Sequence, residues 1–99
     1  MLGSVEPPVR ESHIPVVSRF FGVVFAMFYD DHSPPRFHAK YSEHLAIVGI
    51  NNLAVLRGHL PPRALALVIE WAGQHQLELR ENWELARTHA TLKSIEPLR

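Results

Sequence analysis

The chain has 99 residues, enough for one domain around one core. Apolar residues make up 46% and charged residues 20%, a balance that argues against disorder over most of the length. Ten Lys and Arg offset ten Asp and Glu, and the absence of cysteine excludes disulfides, zinc–thiolate centres and cysteine nucleophiles.

Charge counted by halves stays even. Residues 1–56 hold four basic and five acidic residues, and residues 57–99 hold six and five. Neither half shows the basic excess that phosphate neutralisation needs, although a local basic patch can still form in three dimensions. No apolar run reaches the roughly 18 residues that span a bilayer. The start, "MLGSVEPPVRESH", lacks the basic residues and apolar stretch of a secretory signal. A cytoplasmic protein without membrane contact is the expectation. The seven histidines read mainly as solvated groups, with a pH response near about 6.5 as the alternative.

Residues 1–12 are polar, proline-bearing and aperiodic, and read as a flexible N-terminal arm. Residues 13–99 read as a single α+β domain. A first short strand is expected at Ile14–Arg19, a turn or bulge at Gly22, and a second strand at Val23–Tyr29. The second strand is apolar on both faces, which predicts a central position with both faces covered, one of them by a subunit interface if necessary. Asp30–Arg36 breaks the pattern, because aspartates favour turns and Pro34 and Pro35 lack backbone donors.

Phe37–Ser42 alternates, with Phe37, Ala39 and Tyr41 on one face and His38, Lys40 and Ser42 on the other. Glu43–His44 reads as a tight connection and Leu45–Ile50 as a fourth strand. Asn51–Asn52 reads as a turn and Leu53–Leu56 as a short fifth strand. Pro61 and Pro62 then suit the first turn of a helix, where their missing donors are not needed. Ala64, Leu65, Val68, Ile69 and Ala72 follow at helical spacing, with Gly73 as a weak point or an end. Leu79, Trp83, Ala86 and Ala90 mark a second helical segment, with Arg80 and Glu84 as an i,i+4 pair. The tail "KSIEPLR" either adds a short strand or packs along the surface. Strands first and helices second predict an α+β fold: an antiparallel sheet of four or five strands, then one or two C-terminal helices packed on one face.

The stretch "DDHSPPRFHAKY" concentrates the chemistry. Convergence of Asp31, His32 and His38 would make a histidine–carboxylate metal site, but the spacing matches no defined metal motif, and neither a metal nor another cofactor is expected. Metal-free acid–base chemistry needs a histidine beside cations, and His32, Arg36, His38 and Lys40 are the candidate catalytic set. A proline-stiffened turn and a protein-binding loop are the other readings. Arg63 sits in a first helical turn, where the helix dipole disfavours a cation, which points to a carboxylate partner such as Glu70 or to a bound anion. Tyr41 joins it as a candidate binding residue. Trp71 and Trp83 fall in the helical stripes and read as core, and Asn82 reads as a hydrogen-bonding partner for buried backbone.

The combination of "PVVSRFFGVVFAMFYDDHSPPRFHAKY" with "LPPRALALVIEWAGQHQLELRENWELA" resembles a family of small bacterial proteins, domain of unknown function family 4160. Its marks run from Pro15 to Leu98 and include Gly22, Asp31–His32, Pro34–Pro35, Phe37–His38, Tyr41, Leu60–Pro61, Arg63, Glu70–Trp71 and Asn82–Trp83. The family pattern places a second histidine directly after the two prolines, where this chain has Arg36. The resemblance implies a small operon-encoded protein partner, in a toxin–antitoxin-like module of which this chain is one half. That makes an interaction protein the leading expectation, with a homo-oligomer as a further way to cover the sheet. A metal-independent endoribonuclease acting on RNA through the histidine and arginine loop is the alternative.

Overall fold

The computed structural model describes residues 14–98. The arm expected over residues 1–12 lies outside the described residues. Five strands form one antiparallel sheet in the order β1-β2-β3-β4-β5. They are β1 (Val16–Phe20), β2 (Val23–Ala26), β3 (Arg36–Tyr41), β4 (His44–Gly49) and β5 (Val55–Gly58). Two helices follow, α1 (Pro62–Gln74) and α2 (Gln76–Arg87). The fold is α+β, a meander with its helices at the C-terminal end, as the order of periodicities predicts.

Local chemistry sets the strand limits. Phe20 pairs with Val23, so Phe21 and Gly22 alone make the first hairpin turn, both at positive φ as a tight two-residue turn favours. β2 stops at Ala26, three residues short of the sequence expectation. The Met27 N–H still reaches the Pro15 carbonyl, and the chain then leaves the sheet toward Asp30, which has φ 55°. β5 begins two residues later than expected. Leu53 sits at φ 56° with its N–H on the Gly49 carbonyl, and the Ala54 N–H donates to Asn52 Oδ1. These residues therefore complete the turn that the asparagines begin. β5 ends on Gly58 at φ +80°, where an added Cβ would lie 2.0 Å from the Leu45 carbonyl oxygen.

Register sorts the side chains onto two faces. Phe25 lies opposite Ala39, and Phe37 opposite Val48, all fully buried under the helices. Trp71 of α1 is the centre of that layer, with its ring centroid 4.2 Å from Phe25 and 5.9 Å from Phe37. Ala64, Val68 and Ala72 complete the buried stripe of α1, and Leu79, Trp83 and Ala86 that of α2. Both tryptophans are core, as their spacing predicts. β2 is second from the edge rather than central, and among the described residues the two helices cover one of its faces.

The helices depart from expectation in detail. Gly73 lies inside α1, and the break falls two residues later at His75 (φ −126°, ψ 28°). α2 ends at Arg87, before Ala90. The expected Arg80–Glu84 pair does not form: Arg80 Nε donates to Asn51 Oδ1 at 2.8 Å, and Glu84 accepts from Arg87 at 3.0 Å. This follows the weaker orientation of an Arg-before-Glu pair. The tail packs back along the sheet edge, where the Ile95 N–H donates to the Val17 carbonyl.

Candidate functional site

The alternation of β3 turns Arg36, His38 and Lys40 away from the helices and Phe37 and Ala39 toward them. Three of the candidate residues thus share the uncovered face of the sheet. The loop before β3 is fastened to this face. His38 Nε2 and Asp31 Oδ2 are 3.0 Å apart, each side chain only 12% exposed, and the His38 ring stacks on Phe28 at 4.2 Å. Arg36 is turned back on the same loop, donating from Nε to the Pro34 carbonyl and from Nη2 to the Ser33 carbonyl. Lys40 donates to the Ser42 carbonyl at 3.2 Å. The loop is also held from behind, because Asp30 pairs with His89, just beyond α2, at 2.8 Å.

Not all candidates converge. The His32 side chain is exposed on the loop, and its backbone N–H donates to Asp31 Oδ1. Among the described residues no three of His, Asp and Glu gather as metal ligands. Tyr41 and Arg63 lie on the helix side. They share a cleft of about 250 Å³ with Phe21, Pro61 and Leu67, at the start of α1. The expected Arg63–Glu70 ion pair is not among the ion pairs of the described residues. Three of the six described histidines, His32, His59 and His89, are exposed, and the other three are partly buried. Of the six described, His38, His44, His75 and His89 each lie within 4.0 Å of a carboxylate oxygen. At the β3–β4 turn the Ser42 hydroxyl donates to Glu43 and holds that exposed carboxyl below its ordinary range.

Around the polar residues the uncovered face is apolar. Val24 and Leu45 flank Lys40, and Ala26 and Ile47 flank His38. Leu45 is 45% exposed, Phe28 37% and Val16 36%, on the face opposite α1 and α2. The cations are joined by Arg19, opposite Val24, and Arg57, opposite Ile47. Sequence reasoning did not pick out Arg19, Arg57, Phe28 or Leu45. The available signal was that the five strands together contain four cations and not one carboxylate.

These features define a small α+β domain whose candidate site is a mixed basic and apolar sheet surface. The chain belongs to the family described as domain of unknown function DUF4160, whose model matches residues 22–84. That span runs from the first hairpin turn into α2 and leaves out β1 and the tail, a shorter reach than the motifs from Pro15 to Leu98 imply. No curated protein and no solved structure matches the chain significantly. Among the described residues no helix is long and apolar enough to cross a membrane.

Proposed function

We propose that the protein is an interaction module, one half of a two-protein, toxin–antitoxin-like pair, and that it meets its partner through the uncovered sheet face. The observation that carries this is the apolar surface of that face. A sheet with one face packed and one face solvated alternates apolar with polar residues, whereas here the outward positions Val16, Val24, Leu45 and Ile47 are aliphatic. Aliphatic side chains left in water on a sheet mark a surface that something else covers.

The test is inducible expression in a bacterial host, with and without the neighbouring gene. Growth arrest without the neighbour, relieved by it, and co-purification of the two products are the expected results. Leu45→Glu sits at the most exposed aliphatic position of the face. It is expected to weaken the complex by at least about 30-fold, the effect of losing one interface hot spot. Circular dichroism should show an unchanged fold. A monomer that never captures its neighbour, with Leu45→Glu indistinguishable from the parent chain, removes this reading.

The Asp31–His38 hydrogen bond favours a second reading, a metal-independent endoribonuclease. A carboxylate-oriented imidazole beside Lys40 is a workable base and cation for attack by a 2′-hydroxyl on phosphate. Under this reading His38→Ala abolishes RNA cleavage and growth arrest while the complex with the neighbour persists. Unchanged growth arrest in His38→Ala and in His32→Ala would falsify it.

A further inference from the structure

We propose that the partner segment seated on the uncovered sheet face is an acidic amphipathic helix, with carboxylates spaced seven residues apart and aliphatic side chains between them. This rests on the interaction reading above and specifies the chemistry of its partner. The net charge of the chain is zero, but the charge is segregated. All four charged residues in the strands are cations, and the carboxylates lie in the connections, the helices and the tail.

Register arranges these cations across the sheet. Arg19 on β1 lies opposite Val24 on β2, Val24 opposite Lys40 on β3, and Lys40 opposite Leu45 on β4. One row over, Ile47 on β4 lies opposite Arg57 on β5. From β1 to β4 a single row therefore carries cation, aliphatic, cation, aliphatic, and the cation of β5 lies one row off that line. Arg19 and Arg57 have no ion pair among the described residues, and Lys40 donates only to a carbonyl. Arg36 is already bound to its loop. The nearby carboxylates are engaged, Asp31 by His38 and Glu43 by Ser42.

The spacing selects the occupant. Strands lie about 4.8 Å apart, so Arg19 and Lys40 recur at ~10 Å, and Arg57, offset by two residues along the strand, at ~12 Å from Lys40. A helix rises 1.5 Å per residue, so seven residues advance about 10.5 Å and return to nearly the same side. Glutamates at i and i+7 then face Arg19 and Lys40, and one at i+14 comes within reach of the long Arg57 side chain from the adjacent row. Leucines three or four residues after each glutamate fall onto Val24 and onto Leu45 and Ile47. Single-stranded nucleic acid would also supply negative charge, but its binding surfaces stack bases on aromatic side chains. Here the positions between the cations are aliphatic, and Phe28, the aromatic beside this face, is already stacked on His38.

The test uses the full chain and three probes: an 18-residue helical peptide of this Glu/Leu pattern, its Glu→Gln analogue, and an oligouridylate of similar length. The acidic peptide is expected to bind about tenfold more tightly than the Gln analogue, as three exposed ion pairs imply. The gap should close as salt rises from about 50 to about 500 mM. The triple variant Arg19→Gln, Lys40→Gln, Arg57→Gln should lose that preference and keep its fold by circular dichroism. Equal binding of the two peptides overturns the proposal, as does tighter binding of oligouridylate, or self-association of the free chain that the triple variant abolishes. The neighbouring gene product separates the two levels. If the triple variant still captures it at parental affinity, the charge pattern fails and the interaction reading stands. If the parent chain captures nothing, the interaction reading itself fails.

Discussion

Replacing Trp71 by alanine is expected to destabilise the protein by about 3–5 kcal/mol, the usual cost of removing a large aromatic side chain from a core. Trp71 is fully buried, and its ring meets Phe20, Phe25 and Phe37 of three different strand positions at centroid distances of 6.0, 4.2 and 5.9 Å. The five-stranded ladder beneath it limits how far the surroundings can collapse into the space. Domains of this size have about 5–15 kcal/mol in total, so the loss is a large fraction of the whole. The melting temperature should fall by roughly 15 °C or more. Trp71→Phe separates packing from hydrogen bonding. It keeps most of the aromatic volume and removes the bond from Nε1 to the Glu96 carbonyl, 2.8 Å in the parent. It is expected to cost much less than the alanine variant. A fall of only a few degrees for Trp71→Ala would show that the aromatic layer is not the core of this fold.

The parts of the molecule that are legible in the sequence are those governed by short-range rules. The 2-residue period of Phe37–Tyr41 gives both faces of β3 directly, because one strand position decides each side chain's direction. Pro61 and Pro62 mark the start of α1 because a missing N–H is harmless only there. The turn at Asn51–Leu53 is harder. Leu53 and Ala54 have strand composition, but the Asn52 side chain captures the Ala54 N–H and delays β5. The local hydrogen bond wins over propensity.

The candidate site was legible only in part. The link from His38 to Asp31 joins residues seven positions apart, within one suspicious stretch of sequence. The link from Asp30 to His89 joins residues with almost the whole fold between them, and no periodicity announces it. Arg80 illustrates the same limit: its helix neighbour Glu84 is the obvious partner by spacing, yet it reaches Asn51 across the interface with the sheet. The basic face is a different case. Counting charge by halves of the chain averages the cations of the strands with the carboxylates of the loops and helices. Register alone brings Arg19, Lys40 and Arg57 onto one surface. Tyr41 and Arg63 meet in one cleft for the same reason, through the approach of the first turn of α1 to the end of β3.

The second large effect is expected at Asn82. Its side chain is 1% exposed and clasps one tail residue twice: Nδ2 donates to the Lys93 carbonyl and Oδ1 accepts from the Lys93 N–H, each at 2.9 Å. The clasp brings the tail over α2 in the position from which Ile95 reaches Val17 and Glu96 reaches Trp71. Asn82→Ala leaves a backbone donor and a backbone acceptor without partners, so a loss of about 2–4 kcal/mol is expected in urea titration. Asn82→Asp tests the chemistry rather than the volume. The ionised carboxylate still accepts from the Lys93 N–H but faces the Lys93 carbonyl with no proton to donate. Burial and that carbonyl both favour the protonated acid, so its folded pKa rises above the unfolded value of about 3.9. A raised acid is stabilising below its unfolded pKa, and that contribution is lost as pH rises through the folded pKa. The deficit of Asn82→Asp relative to the parent should therefore be smallest below about pH 4 and grow toward neutrality. Asn82→Ala should show no such trend. Parallel pH profiles for the two variants would mean that the clasp contributes through packing alone, and that the tail is held by Ile95 and Glu96 without it.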